Sequence, residues 1–271
     1  MHSFKYYNST ILTLSLFLLS FVQQIFAETD AESFRKANNI KSTSIFFDKA
    51  TTQWQNNWFL DGKVGTVSHD ENGMVLQAGP EVKNDAHHMV LWTKNSFSGD
   101  IKIEFDYTRL DDQTRFVNII YILATGSGFK PYSKDIFEWK GLRTTPSMKT
   151  YFNHMNTYHI SFAAFPNNEN TQSYIRARRY LPQASGLKGT NLKPDYYPNG
   201  LFEKGIPHKV TIIKKNRDLF MQIKNSQQTY YCRMTNPNSP SIDEGRVGIR
   251  HMYTRSARYK NFRISHLHSG D

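Results

Sequence analysis

An unbroken alternation of apolar and polar residues is the feature that most constrains this chain. Over residues 101–108, one face of an extended segment would carry only apolar side chains and the other only polar ones: Ile101, Ile103, Phe105 and Tyr107 against Lys102, Glu104, Asp106 and Thr108. A period of two is typical of a β-strand with one buried face, whereas an amphipathic helix needs a period near 3.6. This segment therefore predicts a sheet that covers a core on one side.

Other segments predict further strands. Residues 64–69 and 74–78 flank Asn72-Gly73, residues 208–214 and 219–225 flank residues 216–218, and each pair predicts a β-hairpin. Residues 116–124, 245–253 and 257–267 predict three more strands, and no repeat or Pro/Ser-rich linker divides the chain. We therefore expect an all-β sandwich of two antiparallel sheets, or a closed barrel, in one domain over residues 45–271. Residues 28–44 are expected to form a polar, loosely held lead-in, and residues 182–207 a long surface loop.

The N-terminal residues predict a secretory signal peptide over residues 1–27. Lys5 precedes an apolar run at residues 11–22, and Ala27 ends a plausible cleavage site. The run is short for a membrane span, although a membrane anchor is the alternative interpretation. We expect a secreted or periplasmic bacterial protein that has no membrane contact after the leader is removed.

Composition limits the possible function. The chain has 34 Lys and Arg against 23 Asp and Glu, a net charge of +11, and 14% aromatic residues. So many aromatic residues exclude intrinsic disorder, and the single cysteine, Cys232, excludes a disulfide framework or a Cys-based zinc site. A basic, exported protein favours an anionic partner such as an acidic polysaccharide. Nucleic acid would fit the charge equally well, but a secretory leader argues against it.

Residues 174–181 contain the most informative pattern. In a strand, Tyr174, Arg176, Arg178 and Tyr180 would share one face, with Arg179 as the exception. Guanidinium groups at i and i+2 repel each other unless anions compensate them, and arginine binds carboxylates in a bidentate manner. The pattern predicts a sheet face that recognises anions, with a salt-bridged outer strand as the alternative. Tyr174 and Tyr180 would supply a stacking face and a phenolic proton.

Histidines beside this strand are the candidate bases. His159 alternates with Tyr158 and Ile160, which predicts that it faces away from the core, and small neighbours leave room beside its ring. His88 belongs to a third candidate strand, at residues 87–92, and shares a face there with Val90 and Trp92. A structural, hydrogen-bonded histidine is the alternative interpretation in both cases.

Four further residues are candidate substrate contacts. Asn153, Arg143 and Arg250 would bind anionic or polar groups, and Trp139 is either a sugar-stacking platform or a core residue. No spaced His and carboxylate signature predicts a catalytic metal, and we expect no cofactor. A structural calcium ion at Asp111 and Asp112 is a weaker expectation.

Several segments resemble the YesU-like family of bacterial proteins, which is a family of unknown function. The resemblance lies in residues 88–92, 158–161, 174–180 and 250–259 and extends over residues 45–267. It implies a concanavalin-like jelly-roll β-sandwich whose concave sheet forms a carbohydrate groove. Enzymes and lectins share this fold, so the resemblance does not select among them.

The residues favour a polysaccharide lyase that cleaves a uronate-containing polymer by β-elimination. Arg176, Arg178 and Asn153 would neutralise the uronate carboxylate. His159 or His88 would act as the base, and Tyr180 or Tyr174 as the acid, with a phenol pKa lowered by the adjacent guanidiniums.

Two alternatives remain open. A carbohydrate-binding jelly roll would use the same groove without catalysis. A glycoside hydrolase would use Glu104, Asp106 or Glu138, although the third acid expected after Glu104 and Asp106 in jelly-roll glucanases is missing.

Overall fold

The computed structural model describes residues 30–168, 171–182 and 186–268, so the expected signal peptide lies outside the described residues. A helix, α1, covers residues 30–38, and a second, α2, spans Met148–His154. Short 3₁₀ helices occupy Trp54–Asn56, Asp85–His87 and Lys140–Arg143. The described residues otherwise form strands β1 (Ser42–Asp48), β2 (Trp58–Asp61), β3 (Thr66–Asp70), β4 (Gly73–Gln77), β5 (Met89–Ser98), β6 (Ile101–Arg109), β7 (Phe116–Gly126), β8 (Met155–Phe165), β9 (Tyr174–Tyr180), β10 (Asn191–Tyr196), β11 (Pro207–Lys215), β12 (Asp218–Lys224), β13 (Thr229–Met234), β14 (Glu244–His251) and β15 (Ser256–Leu267).

The strands form two antiparallel sheets. The first sheet has eight strands in the order β13-β12-β11-β6-β15-β4-β3, with β1 also paired to β15, and the second has seven in the order β10-β9-β8-β7-β14-β5-β2. Both predicted hairpins, β3-β4 and β11-β12, are present. The expectation of an all-β sandwich of two antiparallel sheets is confirmed.

The inner faces of the two sheets enclose the main core. Along β6, every second residue is buried, as the alternation predicts. Phe105 of the first sheet packs on Phe162 of the second, with ring centroids 6.0 Å apart, and Tyr107 meets Phe162 edge-on at 5.3 Å. Since the alternating residues of β6 face this core, their polar neighbours lie on the outer face of the first sheet.

Two predicted irregular segments are ordered. The expectation that residues 28–44 are loosely held is wrong for the described part of this segment. Helix α1 buries Phe34 and Ala37, and β1 pairs with β15. The surface loop expected at residues 182–207 contains β10, which pairs with β9. The polar composition of both segments concealed the few apolar residues that fix them, such as Leu192.

No helix in the described ranges is both long and apolar enough to span a membrane.

Candidate functional site

Residues from five neighbouring strands form a continuous row on the outer face of the second sheet. Each residue is the direct register partner of the next: Trp92, Gly248, Tyr121, His159 and Arg178. A parallel row contains Asp61, Val90, Arg250, Ile119, Ser161 and Arg176. The register therefore places both candidate arginines of β9, the histidine of β8 and Arg250 of β14 on one face.

Gly248 allows the aromatic part of the first row to close. A Cβ atom at this position would lie 2.3 Å from Cε3 of Trp92, so any side chain would collide with the indole ring. The Trp92 and Tyr121 rings consequently stack across the glycine, with centroids 5.3 Å apart and planes 20° apart. Tyr151, from α2, continues the stack at 5.8 Å from Tyr121.

A buried carboxylate ties this stack together. Asp61 Oδ2 accepts hydrogen bonds from Trp92 Nε1 at 2.8 Å, the Tyr151 hydroxyl at 2.8 Å and Arg143 Nε at 2.5 Å. The side chains of Asp61 and Arg143 are both 0% exposed. Burial raises the pKa of Asp61, and the Arg143 guanidinium opposes that increase. Three donors on one oxygen fix the carboxylate and, through it, the position of Arg143.

Arg250 and His88 form a second buried contact beside Asp61. Arg250 Nη2 donates to the Pro146 carbonyl oxygen and lies 2.7 Å from Nδ1 of His88. Burial and the Arg250 charge lower the pKa of His88 to about 3. His88 is therefore a neutral ring. The expected strand at residues 87–92 begins only at Met89, because residues 85–87 form a 3₁₀ turn.

His159 is bonded on both sides of its ring. Its Nδ1 atom lies 2.6 Å from the Tyr180 hydroxyl, and its Nε2 atom lies 2.7 Å from the Ser161 hydroxyl. Burial, reinforced by Arg178 and Arg250, lowers the pKa of His159 well below its ordinary value. Burial raises the pKa of Tyr180 well above 10, although Arg250 and Arg178 oppose the increase. The predicted lowering of the phenol pKa is therefore wrong, because desolvation outweighs the guanidinium charges.

The candidate residues nearest the edge strand remain partly exposed. Arg176 is held by Asp195, with Nε at 2.9 Å and Nη2 at 2.8 Å, and its side chain is 28% exposed. Within the described part of the chain, the Arg178 side chain makes a single hydrogen bond, 3.3 Å from Nη1 to the Thr190 hydroxyl, and it is half-buried. Tyr174 lies against Arg176, whose Cζ is 4.8 Å from the ring centroid, and burial raises its pKa. These three side chains are where this face meets solvent.

Residues 127–154 lie over the inner part of the face. Ile136, Trp139 and Tyr151 from this segment pack with Trp92 and Tyr121 in a second hydrophobic cluster. Trp139 is 3% exposed, donates to the Ser133 carbonyl oxygen and lies under Arg143, whose Cζ is 4.2 Å from the ring centroid. The platform interpretation of Trp139 is therefore wrong in this structure. Asn153 lies on α2, and its buried Oδ1 atom has no partner among the described residues.

A β-bulge changes one predicted strand face. The register of β8 against β9 shifts between Ser161 and Ala164, and Ala163 has a positive φ of 43°. Ala163 consequently packs in the main core and Ala164 in the cluster on the outer face, so the alternation that Tyr158, His159 and Ile160 begin does not continue to the end of β8. Arg179, the exception on β9, lies over Tyr158 and donates to Pro240, which explains why it breaks the pattern.

The alternative acids lie elsewhere. Glu104 and Asp106 project from β6 in the first sheet, and Glu138 is exposed in the covering segment. Asp106 bonds to Lys209 and Asn261. The expected hydrolase acids therefore do not converge on the second sheet.

The expected calcium ligand Asp111 accepts from the guanidiniums of Arg109 and Arg255, which compensate its charge. Among the residues that the structure describes, no group of three His, Cys, Asp or Glu side chains could hold a metal ion.

Sequence reasoning missed Asp61, Tyr121 and Tyr151. Asp61 bonds to residues 31, 82 and 90 positions away along the chain. Strand parity alone could have placed Tyr121 on the face of Ile119, but no local pattern marks Asp61 or Tyr151.

Comparisons with known proteins agree with this architecture. A family model described as "Domain of unknown function (DUF1961)" matches residues 27–264. No curated protein sequence matches the chain. Among solved structures, a protein of unknown function with a galectin-like fold from Bacillus subtilis is similar, with a TM-score of 0.64 and 16% identity over 84% of this chain and 100% of that one.

Two lectin structures are also similar. A legume lectin-like domain from Entamoeba histolytica has a TM-score of 0.55 and 8% identity over 84% of this chain and 100% of its own. The basic winged bean lectin, solved with Tn-antigen, has a TM-score of 0.53 and 12% identity over 84% of this chain and 100% of its own. At such low identity these similarities show the fold alone, which is a lectin-like jelly roll.

Proposed function

We propose, from the premise that the chain belongs to the DUF1961 family of unknown function, that it is a carbohydrate-binding protein for acidic polysaccharides. The binding surface is the solvent-facing part of the second sheet, at Tyr174, Arg176 and Arg178. One observation carries the proposal: two arginines and a tyrosine of one strand share an outer sheet face, and among the described residues the Arg178 side chain makes one hydrogen bond, from Nη1 to Thr190.

The chemistry of these side chains selects an anionic sugar. A guanidinium edge binds a carboxylate through two parallel hydrogen bonds, and an aromatic ring packs against the apolar face of a sugar. Asp195 forms a salt bridge with Arg176, whereas Arg178 has no salt bridge among the described residues and only a longer-range attraction to Asp195. Arg178 is therefore the group that gains most from an incoming carboxylate. Lectin-like relatives of the fold, such as the basic winged bean lectin with Tn-antigen, support a sugar ligand by analogy.

A second candidate function is the lyase reaction. The pair of His159 and Tyr180, 2.6 Å apart and next to Arg178, favours it, because a neutral imidazole and a protonated phenol are a base and an acid. Both side chains are buried, at 3% and 0% exposure, so a substrate would reach them only after residues 127–154 or the edge strands move. Binding at the exposed end requires no such movement and is the preferred function.

One experiment separates the two functions. The purified protein is mixed with pectate, alginate and glucuronan, and with a neutral galactan as the control, and both retention and the ultraviolet absorbance of an unsaturated uronate are followed. Retention by the acidic polymers without new absorbance supports binding, and growing absorbance supports the lyase. If neither kind of polymer retains the protein, or if acidic and neutral polymers retain it equally, the proposal is contradicted.

A matched pair of variants locates the surface. Arg178→Gln should weaken binding of the acidic polymer about tenfold or more, which is the contribution expected of a charge-assisted hydrogen bond. Arg115→Gln removes the same charge from an exposed turn outside both sheets and should leave the affinity unchanged. Equal losses in the two variants would indicate attraction by net charge alone.

If the lyase operates, His159→Ala and Tyr180→Phe should abolish turnover. The proposal places the protein in an extracellular or periplasmic setting, as the expected leader also does.

A further inference from the structure

Two arginines on the second sheet keep most of their N–H groups unpaired where solvent does not reach. Arg143 and Arg250 are each 0% exposed. Neither Nη atom of Arg143, and neither Nε nor Nη1 of Arg250, has a hydrogen-bond partner among the described residues. Nearly all buried polar groups in proteins are paired, so this concentration of free donors indicates a missing partner.

The charges around these arginines do not balance. Asp61 is the only carboxylate bonded to either arginine in the described residues, and of the two it bonds only to Arg143. Asp135 also attracts Arg143 but forms its own salt bridge with Arg246. The titratable groups nearest Arg250, which are His88, His159, Tyr121, Tyr151 and Tyr180, bring no negative charge, because burial keeps the histidines deprotonated and the phenols protonated. Asp85 lies 3.9 Å from His88 with its side chain 48% exposed. A buried guanidinium without a counter-charge is strongly unfavourable, which means that one further negative charge would stabilise this group.

The two guanidiniums share neighbours in Asp61 and Tyr151. Arg143 Nε and the Tyr151 hydroxyl donate to the same oxygen of Asp61, and the Arg250 Cζ atom lies 4.6 Å from the centroid of the Tyr151 ring. Trp139 covers the plane of Arg143 as Tyr151 covers that of Arg250. Aromatic rings occupy the flat faces of both guanidiniums, so a ligand would bind at their edges. The unpaired N–H groups there are the complete Nη1/Nη2 fork of Arg143 and the single donors Nε and Nη1 of Arg250.

We propose that Arg143 and Arg250 form an enclosed site for one carboxylate group, supplied by a free carboxylate anion or by a sugar acid. A planar carboxylate matches the fork of a guanidinium and brings the single negative charge that the group lacks. His88 Nε2, also buried and unpartnered, is a further donor at the side of Arg250. The site uses other residues than the Arg176 and Arg178 surface and does not depend on polymer binding.

Thermal unfolding of the full protein tests the site. The unfolding midpoint is measured in a carboxylate-free buffer with sodium acetate, sodium galacturonate, neutral galactose, or sodium chloride at matched ionic strength. Above its dissociation constant, a ligand of the native state should raise the midpoint by about 3–6 °C for each tenfold increase in concentration. We expect this from acetate, galacturonate or both. Acetate alone would identify a free anion as the ligand, and galacturonate alone a sugar acid. No increase, or an equal increase with chloride or galactose, would overturn the proposal.

Variants assign the effect to these residues. Arg250→Gln should abolish the carboxylate-dependent increase in the unfolding midpoint. Arg143→Lys keeps the charge but loses the fork, so at least a tenfold higher carboxylate concentration should be needed for the same increase. The lysine variant is the test if the glutamine variant does not fold. Arg115→Gln, which changes neither proposed surface, should retain the full effect. If Arg178→Gln alone abolishes it, the carboxylate binds at the exposed surface, so the enclosed site is wrong while the proposed function stands.

Discussion

The outer faces of the two sheets carry the same kinds of charged side chain, but these are exposed to solvent on the first sheet and buried on much of the second. On the first sheet, Arg258 meets Asp70 at 2.7 Å and Lys209 meets Asp106 at 3.1 Å, and the acidic side chains are 50% and 32% exposed. On the second sheet, the ion pair of Asp61 and Arg143 is 0% exposed on both sides, and Arg250 has no acid bonded to it in the described residues.

This difference in burial favours the second sheet as the face that binds a ligand. Exposed ion pairs contribute little, so the pattern on the first sheet needs no special explanation. Buried charges are costly to desolvate, and an unequal set of them is more costly still. The outer face of the second sheet also buries two neutral histidines, His88 and His159. Such an arrangement is typical of a binding or catalytic site.

The largest difference between the faces should appear when one acid is removed from each. Asp61→Asn leaves the Arg143 guanidinium buried without its counter-charge and should lower the free energy of unfolding by about 3–5 kcal/mol. Asp106→Asn, on the first sheet, should cost less than about 1 kcal/mol because its pair is partly exposed. Urea unfolding at neutral pH measures both. Similar losses at the two positions would contradict the comparison.

Acid pH should act on the second sheet through its neutral histidines. His159 has a lowered pKa in the folded state, so below about pH 6.5 the unfolded chain binds a proton that the folded chain does not. Stability is therefore retained above that pH and falls as the pH decreases, by about 1.4 kcal/mol per pH unit for each such histidine. His88, whose pKa is about 3, should add the same slope.

The contribution of His159 is obtained as the difference between two pH profiles. His159→Phe removes one group that binds a proton only in the unfolded chain, so the free energy of unfolding should depend less steeply on pH in the variant. Between pH 6.5 and pH 5, the free energy of unfolding of the parent protein should fall about 2 kcal/mol further than that of the variant. Urea unfolding at several pH values provides both profiles. Parallel profiles would show that His159 is protonated in the folded protein.

A smaller effect should follow from removing the phenol bonded to His159. Tyr180→Phe leaves Nδ1 of the buried ring unpaired and should cost about 1 kcal/mol. Tyr197→Phe is the control, since Tyr197 is 51% exposed and its hydroxyl can bond to water. The free energy of unfolding should change by less than about 0.5 kcal/mol there. A loss at Tyr197 equal to that at Tyr180 would remove the evidence for a structural bond.

Local patterns predicted the strands well because the period of two directly records which face is buried. The alternation at residues 101–108 matches β6, and the placement of Tyr174, Arg176, Arg178 and Tyr180 on one face matches the register of β9. The alternation of faces stops at Ala163 in β8, where a bulge inserts one residue and exchanges the two faces of the strand beyond it. Bulges leave no reliable mark in a single sequence.

The inner part of the candidate site could not be predicted, because it depends on contacts between distant segments. Asp61 gives no local signal, and its partner Arg143 lies 82 residues away. The burial of Trp139 and Tyr180 also depends on how residues 127–154 cross the sheet. The predicted pKa of Tyr180 was wrong for the same reason, since the sequence shows neighbouring charges but not desolvation.

The smallest expected effect sharpens the comparison from the side of the first sheet. Arg258 Nη1 donates to Asp70 Oδ1 on the exposed surface, and a double-mutant cycle of Arg258→Gln with Asp70→Asn should give a coupling energy of about 0.5 kcal/mol or less. At 1 M salt the Debye length is about 3 Å, so this coupling should disappear. The loss caused by Asp61→Asn should persist in the same salt, because solvent ions do not reach the buried pair. A coupling energy on the first sheet that survives 1 M salt would mean that its charges are also held away from solvent, and the contrast between the faces would fail.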